Sequence, residues 1–155
     1  IIDSDDVTLK SSKIYEKIRV GYQLAKGQSC DLNTILGKAC IFVHKRKVKN
    51  LLKDIDNMII VTSLGGGIGS GGTVALLQIA KEQNIKTKVV CSTPFEFESK
   101  IRKSNARNAF LEIRKLTCEA IMAKIKVTEP QSINQLFDSL DDVMMRLVLD
   151  ELNRC

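Results

Sequence analysis

At 155 residues, with 44% hydrophobic and 27% charged side chains, the chain has the size and make-up of one water-soluble globular domain, which excludes a disordered tail or a fibrous repeat. Its longest apolar runs, such as Met58-Ile59-Ile60-Val61, fall far short of the roughly 20 residues that cross a bilayer, and the opening residues carry no signal-peptide pattern. A formal charge of +6 admits a nucleic-acid or acidic-lipid surface, but aromatics at 5% argue against a base-stacking platform.

In chain order, Ile1 to Asp6 read as a strand end running into an acidic turn, and the missing initiator Met reads as a trimmed N-terminus. Ser12 to Leu24 hold a short strand and helix around Ile18-Arg19-Val20, and the turn-rich Lys26 to Asn33 lead into a helix from about Ile35 to Asp54. In that helix His44-Lys45-Arg46-Lys47, Lys49 and Lys53 alternate with Val48, Leu51, Leu52 and Ile55, the pattern of an amphipathic helix with a solvated basic face. Met58 to Ser63 read as a buried parallel strand, followed by a glycine cluster and a helix from about Thr73 to Gln83. Lys86 to Ser92 repeat the strand signal, Glu98 to Leu116 suit a helix, and Glu119 to Val127 suit a third short strand. Pro130 and Ser132 open a last helix whose apolar stripe runs through Ile133, Leu136, Phe137, Leu140, Met144 and Leu147. This alternation predicts a single α/β domain over residues 1–155. Its form is a three-layer open sheet of mostly parallel strands with helices on both faces, ending in a long helix. Five scattered cysteines without a Cys-x-x-Cys pair, and a single histidine, predict reduced thiols in a cytoplasmic protein and no metal site.

Gly65-Gly66-Gly67-Ile68-Gly69-Ser70-Gly71-Gly72 lies between a strand and a helix, where an open α/β sheet binds its ligands. Glycines there admit positive φ and let a ligand approach the backbone, and the N–H groups of a first helical turn attract an anion. Ser70 adds a hydroxyl. Phosphate is the expected guest. The run is neither a P-loop, since no Lys-Ser/Thr follows, nor a dinucleotide fingerprint, since no acidic residue ends the next strand.

The glycine run resembles the phosphate-binding signature Gly-Gly-Gly-Thr-Gly-Ser/Thr-Gly of the tubulin/FtsZ superfamily. Pro94-Phe95-Glu96-Phe97-Glu98-Ser99-Lys100-Ile101-Arg102 is similar to the segment after the next strand in the FtsZ branch. Lys26 to Lys38 resembles the loop facing the terminal phosphate, with Asn33 and Gly37 in register. Leu136 to Val143 resembles the start of the long central helix, and Ile2 to Asp5 the end of the second strand. The resemblance implies a guanine-nucleotide-binding domain that takes GTP or GDP, with Mg2+ as a further ligand. Gly65, Gly66, Gly67, Ile68, Gly69, Ser70 and Gly71 would wrap the phosphates. Glu98 would bond the ribose, Arg102 would lie near ribose or phosphate, Phe137 would stack on the base, and Asp141 would read the guanine edge. The ordinary readings of these residues are an i,i+4 ion pair for Glu98 and Arg102, core packing for Phe137 and a solvated carboxylate for Asp141. The implied partners are like subunits in a head-to-tail filament of a cell-division cytoskeleton.

Ile68 stands where the signature has Thr, and Cys30-Asp31-Leu32 stand where the terminal-phosphate loop has Ala-Gly-Ala. A carboxylate at Asp31 would repel a γ-phosphate unless magnesium intervenes. Asp3 replaces an Asn, and the stretch between Ile125 and Ile133 is shorter than in the family. The family's first strand, first phosphate loop, acidic catalytic loop and C-terminal domain fall outside these 155 residues, so no catalytic residue is assigned and no hydrolysis is expected from this chain alone. The other readings are a degenerate homologue that acts as a non-catalytic partner of filaments, and a basic α/β module for nucleic acid or acidic lipid.

Overall fold

The computed structural model describes residues 1–117, 119–124 and 132–154. Two parallel sheets carry the fold. In the first, β1 (Ile2–Asp3) pairs with β2 (Ile18–Arg19); in the second, β3 (Asn57–Ser63), β4 (Lys86–Ser92) and β5 (Ala120–Ala123) lie in the order β3-β4-β5. Ile60 sits opposite Val89, and Val89 opposite Ala120. The alternation along β4 places apolar residues on both faces of the strand. Val89 and Cys91 enter a core with Ile60, Val74, Leu77, Ala109 and Ile113, while Val90 enters another with Ala123, Leu140 and Met144. Both faces are covered, as a parallel strand requires.

One face of the second sheet carries α5 (Thr73–Glu82) and α6 (Lys100–Leu116), and the other carries α7 (Ile133–Leu152); α3 (Thr34–Phe42) packs against α5 and the glycines that precede it. Helix α5 joins the two sheets. Its Val74 and Leu77 pack toward β3, β4 and α6, and its Ala75 and Ile79 pack with Val20, Cys40, Ile41 and Val48. Helix α7 begins on a capping box: Ser132 Oγ accepts from the Gln135 N–H, and Gln135 returns a bond to the Ser132 N–H. The start expected at Pro130 and the strand end expected at Val127 lie outside the described residues.

Two elements differ from the sequence reading. The acidic turn runs on into a helix to which the sequence reading gave no place, α1 (Asp6–Ser11), because Asp5 caps it by accepting from the Val7 and Thr8 N–H groups. The helix expected over 35–54 is broken into α3 and α4 (Lys45–Leu51), while α2 is the short Tyr22–Ala25. At the break His44 Nδ1 accepts the Gly21 N–H at 3.1 Å, and Lys45 and Lys49 both reach Glu82, at 2.7 and 2.8 Å. These tertiary bonds turn the chain where periodicity ran straight through. Part of the basic face is thus paired, and Arg46 and Lys47 remain exposed. No helix among the described residues is long and apolar enough to cross a membrane.

At the far end of α7 the buried Glu151 takes Lys88 Nζ at 2.8 Å and Arg154 at 2.8 Å. The Lys88 bond holds its carboxyl below the ordinary value of 4.5, against the opposing pull of burial. A lowered folded value means stability that is present above the unfolded value and lost as pH falls through the folded one. Urea unfolding midpoints should therefore hold from neutral pH down to about 5 and decline below that, and Lys88→Met should flatten part of the decline. A parent-like acid profile in that variant would remove the pair as a source of the dependence.

Candidate functional site

Backbone packs closely on backbone in the turn after β3. The Leu64 N–H donates to the Ser92 carbonyl at 2.9 Å, closing the strand pair just before the glycines. Gly65 takes φ of 119°, a region side chains avoid, and its N–H donates to Ser70 Oγ at 2.8 Å. Gly67–Gly72 then wind as a π-helical turn that continues into α5. The sequence reading takes these glycines as a loop that leads into the helix. The glycines instead let the turn lie directly on α3 and β3. A Cβ on Gly37 would strike the Gly67 carbonyl, one on Gly71 the Thr34 carbonyl, one on Gly67 the Cys30 side chain, and one on Gly69 the Ser63 carbonyl. Gly66 is different, meeting only the Asp31 carbonyl, at an ordinary 3.5 Å.

Besides that of Gly65, two of the turn's amides are already used: Gly67 donates to the Asp31 carbonyl at 2.6 Å and Ser70 to the Gly66 carbonyl at 3.1 Å. Ile68 and Gly69, in the first turn, have no intrahelical acceptor and stand at the positive end of the α5 dipole. They are the amides best placed for an anion. Gly65 lies against Pro94 and Arg102. Arg102 Nε pairs with Glu98 Oε2 at 3.2 Å, and Glu98 Oε1 accepts the Phe95 N–H at 2.8 Å. The Phe95 ring stacks on Phe97 at 5.3 Å and meets Phe137 edge-on at 5.4 Å. Phe137 is 49% exposed. Asp141 is also exposed and lies one helical turn farther along α7. The structure thus brings Gly65, Arg102, Glu98, Phe95 and Phe137 into one line of contacts, with Asp141 at its end. The i,i+4 ion pair that gives Glu98 and Arg102 their ordinary reading is formed. It leaves further lone pairs on Glu98 and further N–H groups on Arg102.

The loop opposite the turn divides its three residues. Cys30 is buried, with Sγ 3.6 Å from Cys40 Sγ and 3.3 Å from Ser4 Oγ, so its side chain belongs to the core. Leu32 is half-buried, and its carbonyl accepts from Asn105 Nδ2 at 2.8 Å. Asp31 is exposed, with φ of 45°. Cys30, Cys40 and Cys91 are free thiols, and burial raises Cys40 and Cys91 well above an ordinary thiol, to about 11 in Cys91, which keeps them unreactive at neutral pH. Cys118 and Cys155 lie outside the described residues. Among the described residues no three His, Cys, Asp or Glu side chains converge on a metal-sized point.

Asn105 was not singled out in the sequence. Its Nδ2 also reaches the Gly65 carbonyl at 3.2 Å, tying the loop, the turn and α6 together. The one available signal was an Asn in the interior of a helix, a position its propensity disfavours.

A profile described as the Tubulin/FtsZ family, GTPase domain, matches residues 1–124. The cell division protein FtsZ of Buchnera aphidicola subsp. Schizaphis graminum is 32% identical over 114 residues, covering 74% of this chain and 30% of the relative. That of Aquifex aeolicus is 27% identical over 152 residues, covering 95% of this chain and 41% of the relative. Among solved structures, an empty FtsZ dimer of M. jannaschii superposes with a TM-score of 0.89 at 24% identity, over 95% of this chain and 44% of that one. The GDP-bound CetZ1 monomer of Haloferax volcanii superposes at 0.78 and 21% identity, over 95% of this chain and 47% of that one. These superpositions show the shared fold. The chain spans less than half the length of these relatives.

Proposed function

The chain belongs to the tubulin/FtsZ family, whose GTPase domain its residues 1–124 match, and on that premise we propose that it binds a guanine nucleotide across the turn after β3 and the start of α7. The first-turn amides of Ile68 and Gly69, with the backbone of Gly65–Gly71, hold the phosphates. Glu98 accepts from the ribose hydroxyls, Arg102 neutralises nearby phosphate charge, Phe137 stacks on the base and Asp141 accepts from the guanine N1–H and exocyclic amine. The observation that carries this reading is the unbroken line of contacts from Gly65 through Arg102, Glu98 and Phe95 to Phe137. The CetZ1 relative, which carries GDP, supports it. Magnesium typically takes one or two carboxylates together with phosphate oxygens, and Asp31 is the carboxylate this chain offers at the turn.

Within a longer polypeptide the domain serves a head-to-tail filament of like subunits. Phosphoryl transfer rests on positioning an attacking water, and none of the residues assigned above has that task, so they release no phosphate by themselves. The Asp31 carbonyl on the Gly67 amide, together with Ile68, favours a second reading, a non-catalytic partner of such filaments.

Calorimetric titration of the purified chain tests the first reading. GTP or GDP should bind with ATP at least about tenfold weaker; no heat with either guanine nucleotide would remove it. Phosphate release should stay at background at every protein concentration, and turnover rising with concentration would overturn the non-catalytic assignment.

A further inference from the structure

Asp31 occupies a left-handed conformation, with φ of 45°, that residues other than glycine enter only at some cost. The surrounding loop is pinned so that it stays there. The Asp31 N–H donates to Ser29 Oγ at 2.9 Å, its carbonyl takes the Gly67 N–H at 2.6 Å, the Asn33 N–H donates to the Cys30 carbonyl at 2.9 Å, and Asn105 holds the Leu32 carbonyl at 2.8 Å. Two consequences follow for a phosphate chain on the turn. One N–H that would otherwise face it is consumed. An exposed carboxylate, with no ion-pair partner among the described residues, belongs to the residue whose carbonyl lies against Gly66 and Gly67.

Two cations beside the turn are each already paired with a glutamate. Arg102 lies against Gly65 and pairs with Glu98, and Lys38, whose backbone N lies beside Gly71, directs its ammonium to Glu112 at 3.6 Å. From these contacts we infer that Asp31 makes the site select a guanine nucleotide ending in a β-phosphate over one ending in a γ-phosphate. The inference rests on the nucleotide reading above. Each added phosphate brings about one further negative charge to a position within a Debye length of the carboxylate, where water and salt do not fully screen it. A diphosphate satisfies the remaining amides of Ile68 and Gly69 while carrying less of that repulsion.

The test is competition of GDP and GTP for the purified chain in EDTA, where no divalent cation screens the carboxylate. The parent should prefer GDP by about tenfold. Asp31→Asn keeps the shape and tolerates the left-handed backbone, and should bring the two within about threefold. Asp31→Gly, which also relieves φ, should behave alike and stands in if the Asn variant fails to fold by circular dichroism. Equal binding of the two nucleotides to the parent, or a preference for GTP, overturns the inference and leaves the nucleotide reading intact. A GDP preference undiminished in both variants overturns it as well. Binding of neither nucleotide removes the reading and the inference together.

Discussion

Gly71→Ala should lower stability by about 3 kcal/mol, whereas Gly66→Ala should change it by less than about 1 kcal/mol. The two residues stand five apart in one glycine run, and sequence alone offers no reason to separate them. In the structure a Cβ on Gly71 lands on the Thr34 carbonyl, with the Lys38 amide nitrogen at 3.0 Å. Both obstacles are backbone at the start of α3, so no side chain can swing away, and the turn must part from α3 along a tightly packed crossing. A Cβ on Gly66 meets only the Asp31 carbonyl at 3.5 Å, on a backbone of φ −87° that alanine adopts freely. In urea, with a slope of about 1–3 kcal/mol per molar, the Gly71 variant should lose one molar or more of midpoint. Because Gly66 is not needed for packing, Gly66→Ala also reports on the ligand. A stable variant that has lost about tenfold in GDP affinity places nucleotide at Gly66, and unchanged affinity places it elsewhere. A Gly71→Ala chain as stable as its parent would mean that α3 yields at little cost.

Asp141→Ala should weaken guanine-nucleotide binding by about ten- to a hundredfold and relax the choice against ATP, the range expected when a charged hydrogen-bond acceptor is removed. Its neighbour one turn back should behave differently. Phe137→Ala removes a stacking surface worth about 1–3 kcal/mol per base, but every base has a π-face, so affinity should fall while the guanine-to-adenine ratio holds. The contrast rests on geometry. Phe137 meets Phe95 edge-on and is half exposed, while Asp141 is exposed on the same helix face. Calorimetry with GDP and ATP on both variants separates the roles. Unchanged titrations of Asp141→Ala would take that residue out of the site while leaving the phosphate turn untouched.

The site residues were legible to different degrees. Glu98 and Arg102 stood at helical i,i+4 spacing, and their ion pair follows from that spacing alone. The glycine run was legible as a place where the backbone must come close to something, but what it approaches was not. Gly67, Gly69 and Gly71 answer to α3 and β3, so glycine content by itself does not separate a phosphate cradle from a packed crossing. The family match over residues 1–124 supports the cradle. Cys30 and Cys40, ten residues apart and of no evident relation, meet at 3.6 Å because the loop folds back on α3.

Local pattern settled the elements whose signal is short-range. Strand β4 falls on Lys86–Ser92 as read, and α6, α7 and the parallel α/β class follow from periodicity, because burial on a strand or helix face repeats within a few residues. Tertiary contacts decided the rest. His44 accepting from Gly21, and Lys45 and Lys49 converging on Glu82, break one expected helix into two. The α3 crossing winds the glycines into a π turn, and the Asp31 carbonyl caps one of its amides. Each of these bonds joins residues more than twenty positions apart, a distance over which no sequence period carries information.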